Sequence, residues 1–76
     1  MAGFYENEQE WQYVFISEKA NGEKEVYGNT QFAPPKNKFN AAIEDIEFGD
    51  EAYTYLAVKE GDTIIMEWKE GDDLPT

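Results

Sequence analysis

The chain reads as an α+β domain: two antiparallel hairpins, at about 10–28 and 52–70, forming a small sheet or partly open barrel, with one short helix at about 39–48 between them. Three observations predict this. Asn21-Gly22 interrupts a run rich in β-formers, which is a strong hairpin signal. Glu60-Gly61 interrupts a second such run. Between the runs, Phe39, Ile43 and Ile46 recur at spacings of four and three, which is one stripe of a helix.

In the first hairpin, "WQYVFISEKANGEKEVYG", charge selects the turn. A two-residue Asn-Gly loop sets Lys19 opposite Lys24 and Glu18 opposite Glu25, and like charges directly opposite are destabilising. A three-residue loop, Ala20-Asn21-Gly22, with Gly22 left-handed, shifts the register by one. Lys19 then faces Glu23, Glu18 faces Lys24, Ile16 faces Val26 and Phe15 faces Tyr27, so the three-residue loop is predicted. After this hairpin, Pro34-Pro35 predicts an extended, polyproline-like loop, because proline cannot join a strand ladder. Its neighbours Lys36 and Lys38 make it the one locally basic segment.

The helix follows, with Asn37 or Asn40 as its cap and Gly49 as its stop. Alternation leaves a strand open as the other reading, with Ala42, Ile46 and Phe48 on one side. In the second hairpin a Glu60-Gly61 loop sets Lys59 opposite Asp62, Leu56 opposite Ile65 and Tyr53 opposite Trp68. Both of its strands are apolar on both faces near their middles, as central strands are. The 76 residues form a single domain, 1–76, with 1–9 and 71–76 as loose ends.

Composition narrows the chemistry. The chain has no cysteine, so neither a disulfide nor a thiol nucleophile is available. It has no histidine, which removes the commonest general base and transition-metal ligand. All six basic residues are lysine, so no guanidinium fork exists for phosphate. No phosphate-cradling glycine loop, nucleophile elbow or metal-histidine motif is present, and catalysis is not expected. Seventeen acidic residues against six lysines leave a net charge of −11. Such a chain is not expected to bind bare nucleic acid or an anionic membrane. With 41% hydrophobic and 16% aromatic residues it nonetheless has enough apolar surface to collapse. No apolar run spans a membrane and no secretory leader is visible. The expectation is a soluble cytoplasmic protein from a complete small reading frame, acting in the host cytoplasm if phage-encoded.

The candidate site is "EDIEFGDE", 44–51, which carries Glu44, Asp45, Glu47, Asp50 and Glu51. Acids near a helix C-terminus are electrostatically unfavourable, and mixing both signs would confer solubility at less cost. "YENEQEW" adds Glu6, Glu8 and Glu10 at a spacing of two, which places them on one side of an extended segment. "EGDD", 70–73, is a third block. The order of acids does not match a twelve-residue calcium loop, and neither a metal nor any other cofactor is expected. Among the aromatics, Tyr53 and Trp68 are the candidate contact residues, since Tyr and Trp dominate interface hot spots.

Two functions compete. In one, the carboxylates stand in for phosphates and occupy the basic surface of a nucleic-acid-binding protein, as small acidic inhibitors from phages and other mobile elements do. In the other, the apolar-aromatic sheet pairs with another chain, including a second copy, and the charge serves solubility alone. The excess of charge over what solubility needs favours the first.

Overall fold

The computed structural model describes residues 11–74. Strand β1 (Tyr13–Lys19) and strand β2 (Lys24–Asn29) form the first hairpin, helix α1 (Ala33–Phe48) follows, and strands β3 (Tyr53–Glu60) and β4 (Thr63–Lys69) form the second. All four strands join one open sheet in the order β2-β1-β3-β4, with every neighbouring pair antiparallel. The α+β class therefore stands, as a sheet that is not closed.

The first hairpin has the predicted register. Phe15 pairs with Tyr27, Ile16 with Val26 and Glu18 with Lys24. The loop is closed by Lys19 N–H donating to Glu23 O at 2.8 Å and Gly22 N–H donating to Lys19 O at 2.9 Å. Gly22 has φ +94°, a left-handed conformation that glycine adopts without steric cost. The Asn21 side-chain oxygen accepts from Glu23 N–H at 2.9 Å and holds the turn from inside.

The second hairpin differs from expectation. Glu60 is the last residue of its strand and pairs with Thr63, so the loop is Gly61-Asp62. Gly61, with φ +59°, takes the first loop position, where a type II′ turn requires glycine. A bulge between Val58 and Lys59 then slips the register, and Leu56 faces Trp68 rather than Ile65. Of these two strands only β3 is central. β4 is an edge.

The helix begins six residues earlier than expected. Pro34 and Pro35 lie in its first turn rather than in an extended loop. The first backbone donors of a helix have no partner inside it, so proline there forfeits nothing. The first backbone bond comes directly after them, from Lys36 N–H to Phe32 O at 3.1 Å. Asn37 and Asn40 are interior, not caps; Phe32 is the N-cap and no side chain caps the helix. The left-handed Gly49, at φ +77°, ends it as predicted.

Since β2 and β3 run parallel on either side of β1, a crossover must join them, and α1 is that crossover. It lies on one face of the sheet. Pro35, Phe39, Ala42 and Ile43 are buried there against Phe15, Leu56, Val58 and Trp68, with Ile46 and Tyr27 alongside. Lys38 clamps the helix to the edge strand: its Nζ lies 2.9 Å from Glu25 Oε2 and 4.9 Å from the Tyr27 ring centre. One helix covers one face only. Val14, Ile16, Val26 and Ala57 point to the other, where Val26, Ile64 and Ile65 are 55%, 49% and 40% exposed.

The segment after β4 is not loose as far as it is described. Trp68 Nε1–H donates to Asp72 O, Asp72 Oδ2 accepts from Lys69 N–H, and Leu74 packs on the core. Among the described residues no helix is long and apolar enough to cross a membrane.

Candidate functional site

The crossover fixes where the acids go. α1 runs back along the sheet, so its C-terminus, the β1–β2 loop, the start of β3 and the end of β4 meet at one end of the molecule. Backbone bonds tie these pieces together. Ala20 N–H donates to Ala52 O, and Glu70 N–H donates to Thr54 O, both at 3.0 Å. This end therefore gathers Glu18 and Glu23 from the first hairpin, Glu44, Asp45, Glu47, Asp50 and Glu51 from the helix end, and Glu70, Asp72 and Asp73 from the tail. Removing Glu6, Glu8 and Glu10 from the seventeen acids leaves fourteen among the described residues, and ten of those fourteen are here. Three lysines accompany them: Lys19, Lys24 and Lys69.

Two of the three acidic blocks thus share an end, 44–51 and 70–73. The third, Glu6, Glu8 and Glu10, lies outside the described residues. Glu44, Glu47 and Asp50 are exposed, while Asp45 and Glu51 are half-buried. Lys19 Nζ reaches Glu51 Oε1 at 3.2 Å. The helix has no basic residue in its last turn, so the negative end of its dipole adds to the carboxylates. Asp45 O is partly satisfied by Asp50 N–H at 2.8 Å and Glu51 N–H at 3.3 Å. Between the first hairpin loop and the helix end lies an open recess of about 450 Å³, lined by Asn21, Ile46, Asp50 and Glu51 among others. Among the described residues no three carboxylates converge as a metal site.

Of the two aromatic candidates, Tyr53 is half-buried at this end, with Lys19 Nζ 6.0 Å from its ring centre. Trp68 is 5% exposed. Its ring faces the helix opposite Leu56, so it belongs to the core and offers a partner no surface. The sequence reading missed Phe48, which is 73% exposed at the helix end beside the acids. The signal was available. Phe48 is nine residues from Phe39, about two and a half turns, and so falls on the side opposite the buried stripe. Glu44 is its i−4 neighbour on that exposed side.

Three groups bind their protons more tightly here than in free chains. The Glu51 carboxylate, by hydrogen bond and charge, holds the Lys19 ammonium above the usual lysine value. Burial raises the Tyr53 phenol, with Lys19 partly opposing. Burial also raises Tyr55, as does the 2.8 Å bond its hydroxyl donates to Glu67. Raised folded values mean that these contributions are fully present below the unfolded values of about 10–10.4 and are lost as pH climbs through the folded ones. Phenolate absorbance is therefore expected to show Tyr53 and Tyr55 ionising above about pH 10, with the thermal midpoint falling over that range. Tyr53→Phe and Tyr55→Phe identify the two signals. Ionisation of either below pH 10 contradicts the assignment.

Compared with protein-family models, with curated proteins and with solved structures, the chain matches none.

Proposed function

We propose that this chain is a small binding and inhibitor protein whose acidic end docks on a basic surface of a partner protein, of the kind that otherwise holds a nucleic-acid backbone. The observation that supports the reading most is the gathering of ten of fourteen described carboxylates at one end, with the helix dipole pointing the same way. A general need for solubility is served by dispersed charge, not by charge drawn to one end. The carboxylates take the place of phosphates and steer the encounter. Phe48, exposed on the same side of the helix as Glu44, supplies apolar contact once the surfaces meet.

The test uses the purified chain to capture proteins from a bacterial lysate, with elution by a salt gradient. The expected result is a nucleic-acid-binding protein released by salt that loses its DNA or RNA while the chain is bound. Recovery only of proteins that keep their nucleic acid, or whose retention is indifferent to salt, overturns the proposal. For the captured partner, Phe48→Ala is expected to weaken binding by about 30-fold, the effect of a moderate hot spot, with folding unchanged because the ring is exposed. Unchanged affinity in a titration would remove Phe48 from the site.

A further inference from the structure

We infer that the face of the sheet left bare by the helix is a self-association surface, and that its occupant is a second copy of this chain. The surface crosses the strands and meets the acidic end only at its rim, where Glu18, Lys24 and Lys69 belong to both. Along it, Val14, Ile16 and Val26 form an apolar patch on β1 and β2, beside Trp11, whose ring lies against Gly28; Ile64 and Ile65 form a second patch on β4, and β3 sets the fully buried Ala57 and Lys59 between the two. A groove of about 440 Å³ runs along one part of it, between Trp11, Val14, Ile16 and Val26 on one side and Lys59 and Asp62 on the other.

Charge identifies the occupant. The registers place Lys24, Lys59 and Lys69 on this face, together with Glu18, Glu67 and the groove residue Asp62. Three lysines against three acids leave the described residues of this face without net charge, in a chain that carries −11 in all. This is where two copies can approach with the least repulsion. A strongly acidic or strongly basic partner gains nothing from a neutral strip. A second copy brings the same apolar centre and the same alternating charges, and a two-fold axis can set the lysines of one copy near the acids of the other. Two sheets stacked face to face pack with their strands about 30° apart and need no helix between them.

The size of the face sets the strength. Four strands of about seven residues give a footprint of roughly 23 by 19 Å, or about 440 Å² per copy before allowing for surface relief, which is at the small end of specific interfaces. A face of this size fits a weak, reversible dimer, with a dissociation constant expected in the micromolar range or above. Salt should tighten it, because screening relieves repulsion between two chains of −11 each. That is the opposite of the salt response expected for a basic partner at the acidic end, so either proposal can fail without the other.

The experiment is sedimentation equilibrium of the full chain from about 5 to 500 µM, in low and in roughly 0.5 M salt. The expected result is a monomer–dimer equilibrium whose dissociation constant falls several-fold with salt. Val26→Thr, Ile64→Thr and Ile65→Thr together keep β-branching and charge and are expected to weaken the dimer by at least about 10-fold. On the unaltered chain, concentration-dependent methyl shifts should map to Val26, Ile64 and Ile65, which tests the surface without a substitution. A monomer at every concentration overturns the proposal, as does a dimer that the threonines leave intact or one whose shifts map to the helix side. A monomer in which the Val26 methyls contact protons of residues 1–10 overturns it in favour of that segment.

Discussion

Replacing Phe39 with alanine is expected to lower the thermal midpoint by about 15–30 °C, or to abolish the cooperative transition altogether. Phe39 is 2% exposed at the centre of the helix stripe and packs into the one core that the described residues contain. Phe→Ala in a core costs about 3–5 kcal/mol, through lost transfer energy and the cavity left behind. In a domain of this size each kcal/mol shifts the midpoint by about 4–8 °C. Total stability for 76 residues is expected near 4–11 kcal/mol. Self-repulsion and a sheet covered on one face favour the lower part of that range. A calorimetric or circular-dichroism melt decides the matter. A drop of only a few degrees would mean that the neighbouring Ala42, Ile43 and Leu56 collapse into the space, and that the helix is held mainly by other contacts. Phe39→Leu, which keeps most of the volume, is the control expected to lose far less.

Reversing charge at Glu44, Glu47 and Asp50 to lysine should do the opposite to stability while removing binding. All three carboxylates are exposed, and all sit at or near the negative end of the helix dipole. Lysines there complement the dipole and take the net charge from −11 to −5, six units less negative. The melting midpoint is expected to stay or to rise. Association with the basic partner is expected to slow by about 10²-fold at low salt, within the range that electrostatic steering supplies, and the difference should shrink as salt is added. Kinetic binding measurements at two ionic strengths check this. A triple variant that still binds at the original rate rules out charge mimicry at this end and shifts attention to the bare sheet face.

Legibility of the fold in the sequence tracked the density of local constraints. In the first hairpin, Glu18, Lys19, Glu23 and Lys24 leave one register in which opposite charges meet, and that register is the one formed. In the second, Thr63, Ile64, Ile65 and Met66 are all strand-formers without charge. Nothing in that run penalises a slip, so neither the bulge nor the pairing of Trp68 with Leu56 could be read from it. Without that register the sequence does not separate a core Trp68 from a surface one; the pairing with Leu56 puts it in the core. Pro34-Pro35 is ambiguous for another reason: proline is as acceptable in a helix's first turn as in a loop, and only the burial of Pro35 decides. Within the site, the exposure of Glu44 and Glu47 followed from the helical stripe, and Phe48 was open to the same argument. The meeting of 44–51 with 70–73 was not legible, because it depends on the path of the crossover.

That path also governs how the chain must assemble itself. The two central strands are far apart in sequence: Phe15 pairs with Val58, and the helix and β2 lie between them. Each hairpin can close locally in microseconds, but joining β1 to β3 closes a loop over the whole intervening segment. The search for that central pairing sets the folding speed, and the hairpins, marginal on their own, become stable only once it forms. Interactions confined to β2 or β4 therefore act chiefly on how long the native state lasts, whereas Phe15, Leu56 and Val58 act on how quickly it is reached.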